Sequence, residues 1–278
     1  MRTLELPGFE IGSSTLTVIA GPCTAESFAL CTDVATACAD ICRELGLNYV
    51  FKASFDKANR TSVGSDRGPG QEALEWIKEA GMAASVPTTT DVHLPSQAEM
   101  VAGYVDLLQI PAFLCRQSDL LEAAADTGKP VNVKKGQFLA PADAKNIVAK
   151  LDAFNAAGVM LTERGTTFGY NNLVVDMPGL ETMRGFEVPV CFDATHSAQR
   201  PGAGGTSSGG SRESVPALVR AASAVGIDAL FIEVHPDPAN AVSDAATQWP
   251  LAQFRDLLRE AIAIRRAVQA VWATSKAP

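Results

Sequence analysis

Side chains able to bind anions, hold a metal or move a proton recur in this chain at one kind of place, the ends of short strand-forming runs. Cys23 follows "TLTVIAG", and Lys52 and Ser54 close "YVFKAS". Thr89, Thr90 and Asp91 end "AASVPTTTD", and Gln109 lies in "VDLLQIPA". Lys134 and Lys135 end "PVNVKK", while Glu163 and Arg164 end "VMLTERG". His196 closes "VPVCFDATH", and Glu233 and His235 close "ALFIEVH". Arg forks and Lys point charges suit phosphates and carboxylates, so Lys52, Lys57, Arg60, Lys134 and Arg164, with Arg116 further along, predict a cationic mouth for anionic substrates. Cys23, His196 and Glu233, with Asp244 in the loop after the last strand, offer a thiolate, an imidazole and two carboxylates. That set suits Zn²⁺, Fe²⁺ or Mn²⁺. Other readings stand beside it: Cys23 as a core thiol, His196 as a general base, His235 as the ligand in its place, and Lys134 or Lys135 as a Schiff-base nucleophile.

The elements that must position these groups alternate along nearly the whole chain. Strands start near Thr15, Tyr49, Ala83, Asp106, Pro130, Val159, Val188 and Ala229, each followed by a helical segment. Eight such βα units in 278 residues predict a single α/β domain over 1–278, a (β/α)8 TIM barrel, in which functional groups gather at the C-terminal ends of the strands. Residues 1–14 read as a short N-terminal hairpin plugging the bottom of the barrel. A helix is expected from about Glu26 to Gly46, another in "GQEALEWIKEAG" stopped by Gly81, and a third capped by Ser118. The long polar stretches 55–70 and 196–214 and the stretch 236–248 read as active-site loops, the Gly- and Ser-rich second one as a lid.

The formal net charge of −8 argues against nucleic acid and anionic membranes as partners. No apolar run reaches membrane-spanning length, and "MRTLELPGFEIG" does not read as a signal peptide, which together predict a cytoplasmic protein. Cys31, Cys38 and Cys42 fall at helical spacing on one apolar face, so the cysteines are expected to be reduced.

Several stretches together resemble one family: "AGPCTAES", "FKASFDKANR", "QIPAFLCRQ", "VNVKKGQFLAP", "TERG", "FDATHSAQ" and "FIEVHPDPANAVSDAATQ" are similar to 3-deoxy-D-manno-octulosonate 8-phosphate synthases, in order, from about residue 15 to 250. The resemblance implies a tetrameric (β/α) barrel that condenses phosphoenolpyruvate with D-arabinose 5-phosphate and releases phosphate. It implies that Lys52, Ser54, Lys57 and Gln109 hold the phosphoenolpyruvate carboxylate, that Lys134 and Arg164 hold its phosphate, and that Asn59, Arg60 and Thr61 bind the sugar phosphate. Phe113 and Arg116 match positions that reach into a neighbouring subunit's site. Cys23 stands where a metal-independent branch has Asn, so Cys23, His196, Glu233 and Asp244 carry over as ligands of a divalent ion, Fe²⁺, Mn²⁺ or Zn²⁺, with Cys23, His196 and Asp244 catalytic. The family also implies a role in cell-envelope saccharide (lipopolysaccharide) synthesis. The nearest alternative is the related 3-deoxy-7-phosphoheptulonate synthase, which uses erythrose 4-phosphate but typically carries a "KPRTSPYSFQG"-like stretch where this chain has "KASFDKANRTS". A barrel that binds sugar phosphates without catalysis is the non-enzymatic reading.

Overall fold

The structure, a computed structural model, describes residues 2–58, 64, 67–170, 172–201 and 209–275. It opens with an antiparallel hairpin, β1 (Leu4–Leu6) and β2 (Phe9–Ile11). Six parallel strands follow: β3 (Thr17–Gly21), β4 (Asn48–Lys52), β5 (Thr88–Asp91), β6 (Leu107–Ile110), β7 (Val131–Lys134) and β8 (Val159–Glu163). After β8, β9 (Thr166–Thr167) and β10 (Leu173–Val174) form a two-residue ladder. Then come β11 (Val190–Asp193), the ladder of β12 (Gln199–Arg200) with β13 (Gly209–Gly210), β14 (Ala229–His235) and the short β15 (Trp249–Pro250) beside β14. β11 pairs with β8 and β14, and β14 pairs with β3, so β3–β8, β11 and β14 close an eight-stranded parallel barrel.

The helices are α1 (Phe28–Leu45), α2 (Glu72–Ala84), α3 (Ala98–Ala102), α4 (Ser118–Asp126), α5 (Lys145–Ala153), α6 (Met177–Arg184), α7 (Ala194–Ser197), α8 (Val215–Val225) and α9 (Phe254–Ser275). The main core lies between the helices and the barrel wall. α1 starts where the Ser27 hydroxyl accepts from the Leu30 amide and stops at Gly46, whose left-handed φ of 69° lets the following chain turn back on the carbonyls of Arg43 and Cys42. Its buried face carries Cys31, Cys38 and Cys42, and all six cysteines are free.

Three local expectations are corrected. α2 runs through Gly81 and ends at Ser85 in the left-handed region, φ 57°. Gly81 serves packing instead, because a Cβ there would lie 2.1 Å from the Thr88 methyl. Ala83 and Ala84 therefore belong to the helix, and the third barrel strand starts only at Thr88. Ser118 is the first helical residue of α4 rather than its cap; Gln117 holds that position without a side-chain bond to the helix.

The barrel interior has two parts. At the N-terminal end, Leu4, Leu6 and Ile11 of the hairpin pack with Ile19, Val50, Leu107, Met160, Cys191, Ala229 and Phe231, filling the end opposite the functional mouth. Toward the C-terminal ends the inward side chains become polar. The strand register places Asp91 beside Gln109, Gln109 beside Asn132, and Glu233 beside Gly21.

Candidate active site

Phe231, near the middle of β14, forms the floor of the mouth. The Lys134 ammonium lies 3.7 Å from its ring centroid and that of Lys52 5.6 Å, while the His196 ring centroid is 5.7 Å away. Above this floor a hydrogen-bonded belt crosses five strands, β4 to β8. Ser54 Oγ and Gln109 Nε2 donate to Asp91 at 2.6 and 2.7 Å, and Asn132 Nδ2 donates to Gln109 Oε1 at 3.1 Å. Thr162 Oγ1 donates to Asn132 Oδ1 at 2.6 Å, and Lys52 Nζ donates to Ser54 Oγ at 2.7 Å. Each polar side chain of this belt has a partner, which fixes Lys52, Ser54 and Gln109 before any ligand arrives.

The expected cationic mouth is more balanced than the sequence suggested. Lys134 Nζ donates to Asp193 Oδ2 at 2.6 Å. Lys52 stands 3.5 Å from Asp91 and 3.7 Å from Glu233, and Lys57 3.8 Å from Glu233. Burying this many ammonium groups requires counter-anions, because an unpaired buried charge costs several kcal/mol, on the order of 3–5. The carboxylates respond in kind. Burial pushes Asp91 up, but Lys52 and Lys57 overrule it and hold the carboxyl well below the usual range. Asp193 is lowered in the same way, burial being outweighed by His196 and Lys134. Asp91 was expected only as a strand-end group with no assigned role and Asp193 was not singled out, since strand spacing reveals position but not pairing.

Cys23, Glu233 and Asp244 converge: one ligand atom from each lies within 4.8 Å of the others. Cys23 Sγ is 3.5 Å from Asp244 Oδ2, and its amide donates to Gln248 Oε1 at 3.1 Å. His196 stands beside this trio from α7, with Nε2 3.6 Å from Glu233 Oε1 and 3.8 Å from Asp244 Oδ2. Its other nitrogen, Nδ1, faces Asp193 Oδ2 at 2.8 Å, the arrangement that orients a ligating imidazole. Asp193 also caps this short turn by accepting from the His196 amide at 2.9 Å. His235 points elsewhere: Nδ1 accepts from the Asp237 amide, and Nε2 lies 3.6 Å from Glu26.

The donor set fits a divalent ion. Glu233 is fully buried, yet neither of its carboxylate oxygens receives a hydrogen bond. Burial would raise its pKa, but His196, Lys57 and Lys52 leave it lowered to about 2, so the anion is ready to ligate. Burial, reinforced by Glu233, pushes the Cys23 thiol up, so a cation bound there would displace its proton.

Arg164 connects the two halves. Its guanidinium donates to Gln199 Oε1 at 3.1 Å, and Gln199 Nε2 donates to Asp244 Oδ2 at 2.9 Å. Gln199 was not singled out from the sequence, although it stands in "FDATHSAQ". Phe113 and Arg116 are exposed on the segment after β6 and take no part in this network among the described residues. Asn59, Arg60 and Thr61 lie outside the described residues, as do residues 202–208 of the expected lid.

A profile of the DAHP synthetase I family matches residues 6–269, nearly the whole barrel. The chain belongs to that family. Among its relatives, a protein of Dechloromonas aromatica (strain RCB) named 2-dehydro-3-deoxyphosphooctonate aldolase is 53% identical over 270 residues, covering 96% of this chain and 97% of its own. Proteins of the same name from Fusobacterium nucleatum subsp. nucleatum and Methylococcus capsulatus are 52% and 51% identical. They cover 94% and 97% of this chain, and 94% and 96% of their own lengths.

Proposed function

We infer that this protein is a 3-deoxy-8-phosphooctulonate synthase, a transferase that condenses phosphoenolpyruvate with D-arabinose 5-phosphate and water to give 3-deoxy-D-manno-octulosonate 8-phosphate and phosphate. The observation that carries this reading is near-full-length similarity, at over half identity, to proteins named for the eight-carbon product. The Schiff-base alternative meets a physical obstacle. Lys135 Nζ is buried and donates to Gly136 O, Leu139 O and Thr166 Oγ1, while Lys134 is paired with Asp193.

In this reading C3 of phosphoenolpyruvate attacks the aldehyde of the open-chain sugar, water adds at C2, and phosphate leaves with C–O cleavage. Lys134 and Arg164 hold the phosphate, and the belt-fixed Lys52, Ser54 and Gln109, with Lys57, hold the carboxylate. Asn59, Arg60 and Thr61 are assigned to the sugar phosphate. Holding two anions side by side in fixed orientation removes repulsion and entropy from the barrier. Cys23, His196, Glu233 and Asp244 would hold Fe²⁺, Mn²⁺ or Zn²⁺, a reading supported by the orphaned Glu233 oxygens and the mixed S, N and O donors. When bound, such an ion supplies Lewis-acid polarisation or a lowered water pKa.

The same reading makes the protein a cytoplasmic homotetramer acting in cell-envelope saccharide synthesis. No described helix is long and apolar enough to cross a membrane. Supporting the assembly, Phe113, Phe138, Phe168 and Tyr170 are exposed on the loops after three consecutive strands, β6 to β8, where a neighbouring copy carrying Phe113 and Arg116 would dock. The test is phosphate release with each sugar, before and after chelation and with metal add-back. Turnover with arabinose 5-phosphate and essentially none with erythrose 4-phosphate is expected; the reverse preference overturns the assignment.

A further inference from the structure

Among the described residues the mechanism leaves unused a fully buried ion pair whose members are the chain neighbours of the two cations assigned to the phosphate. Lys135 and Glu163 are each 0% exposed, with Lys135 Nζ 3.5 Å from Glu163 Oε2. Lys135 follows Lys134 in the chain, and Glu163 precedes Arg164.

Each member of the pair holds one of the two strand ends. Lys135 Nζ donates to the Gly136 and Leu139 carbonyls at 3.2 and 3.0 Å, pinning the turn after β7. It also reaches Thr166 Oγ1 at 3.4 Å, across to the turn after β8. Glu163 Oε1 accepts from the Gly165 amide at 2.6 Å, fixing the backbone on the far side of Arg164. Gly165 has φ +89°, and a Cβ there would lie 3.1 Å from Leu173 Cβ, so this turn is closely specified. Backbone bonds lace the same two segments together: the Lys135 amide donates to Thr162 O at 2.7 Å and the Thr167 amide to Gln137 O at 3.0 Å.

Lys134 and Arg164 project from these two turns and carry like charges. Two cations have no attraction of their own that would gather them around one phosphate, so their placement has to be imposed by the protein. We propose that the buried Lys135–Glu163 pair is a positioning device for phosphoenolpyruvate: it locks the turns after β7 and β8 together and so presets the spacing of Lys134 and Arg164 for one phosphate group. Neither Lys135 nor Glu163 touches substrate. The proposal rests on the assignment of Lys134 and Arg164 to that phosphate, and it gives a use to a buried ion pair whose charges alone are weak evidence for stability.

That last point provides the test. Single changes, Lys135→Met or Glu163→Gln, leave one partner buried without its counter-charge and confound stability with function. The double variant Lys135→Met/Glu163→Leu removes both charges at once. Its thermal midpoint should fall less than that of either single variant, because no charge is left buried alone, while KM for phosphoenolpyruvate rises about 10- to 100-fold and KM for the sugar phosphate stays within about 3-fold, the scale expected when a positioned group is displaced by about an ångström. A double variant with the parental KM for phosphoenolpyruvate, whatever its thermal midpoint, overturns the proposal, since the pair would then be structural only. Should the double variant not fold, Thr166→Val removes one tether and keeps the pair. It should raise the same KM about 2- to 10-fold, the worth of one hydrogen bond, and an unchanged KM rejects the idea. Lys134→Ala and Arg164→Ala, measured alongside by equilibrium binding of phosphoenolpyruvate, separate the two failures. If they leave binding intact, the phosphate assignment falls first and this inference with it. If they weaken binding while the double variant does not, the inference alone falls.

Discussion

Asp91→Asn tests the polar belt quantitatively. Asp91 accepts from Ser54 Oγ at 2.6 Å and Gln109 Nε2 at 2.7 Å and faces Lys52 Nζ at 3.5 Å. An asparagine keeps one oxygen for one of the two donors and turns an NH₂ toward the other. If the oxygen stays on Gln109, the Ser54 hydroxyl, which already accepts from Lys52 at 2.7 Å, has no acceptor for its own proton. One charge-assisted hydrogen bond and the counter-charge of a buried lysine are lost, together about 3 kcal/mol at pH 7. The pH dependence gives the decisive reading. Burial raises the Asp91 pKa but Lys52 and Lys57 outweigh it, so the folded value lies below the unfolded one. A depressed carboxyl stabilises the fold above its unfolded pKa, near 3.9, and that contribution fades as pH falls below it. The stability gap between parent and variant should hold steady from pH 7 to about pH 4 and then narrow by about 1.4 kcal/mol per pH unit. Denaturant midpoints of both proteins across pH 3–7 measure this. A gap under about 1 kcal/mol at pH 7, or one that stays flat down to pH 3, would refute the belt's assigned role.

Cys23→Ser should lose most bound metal and most activity, and metal analysis finding parental occupancy would remove Cys23 from the ligand set. Gly21→Ala should abolish folding or cost more than about 4 kcal/mol, because its Cβ would lie 2.0 Å from the Lys52 carbonyl oxygen. Soluble expression and a melting curve decide this, and a near-native midpoint would count against the packing of β3 on β4. Gln199→Leu removes the bridge between Arg164 and Asp244 and should lower kcat/KM about 10-fold with the melting temperature little changed. Parental kinetics would show the bridge to be incidental.

How much of this could be read in advance depended on whether the signal was local. Strand-ending positions were local, so Cys23, Lys52, Gln109, Lys134, Arg164, His196 and Glu233 were found without any contact information, and so were the eight strands and the hairpin. Pairing was not local. Asp193 lies 59 residues from Lys134 and Gln199 lies 45 from Asp244. An aspartate or glutamine on a strand end looks the same in sequence whether it binds substrate or steadies another side chain. Gly81 misled for a different reason. A helix-stopping residue and a residue that permits close helix–strand contact are both glycine, and only the Thr88 methyl beneath it distinguishes them. The choice between His196 and His235 turned likewise on which imidazole the fold aims inward, with His235 occupied by Glu26 and the Asp237 amide.

The hairpin at the base has a consequence for traffic. With Leu4, Leu6 and Ile11 stoppering one end, the barrel is a vessel with a single door. Both reactants enter and both products leave through the same rim, so the molecule seated against the Phe231 floor is hemmed in by whatever arrives after it. Departure is then confined to that rim as well: each product has to pass the groups that held the reactants on the way in.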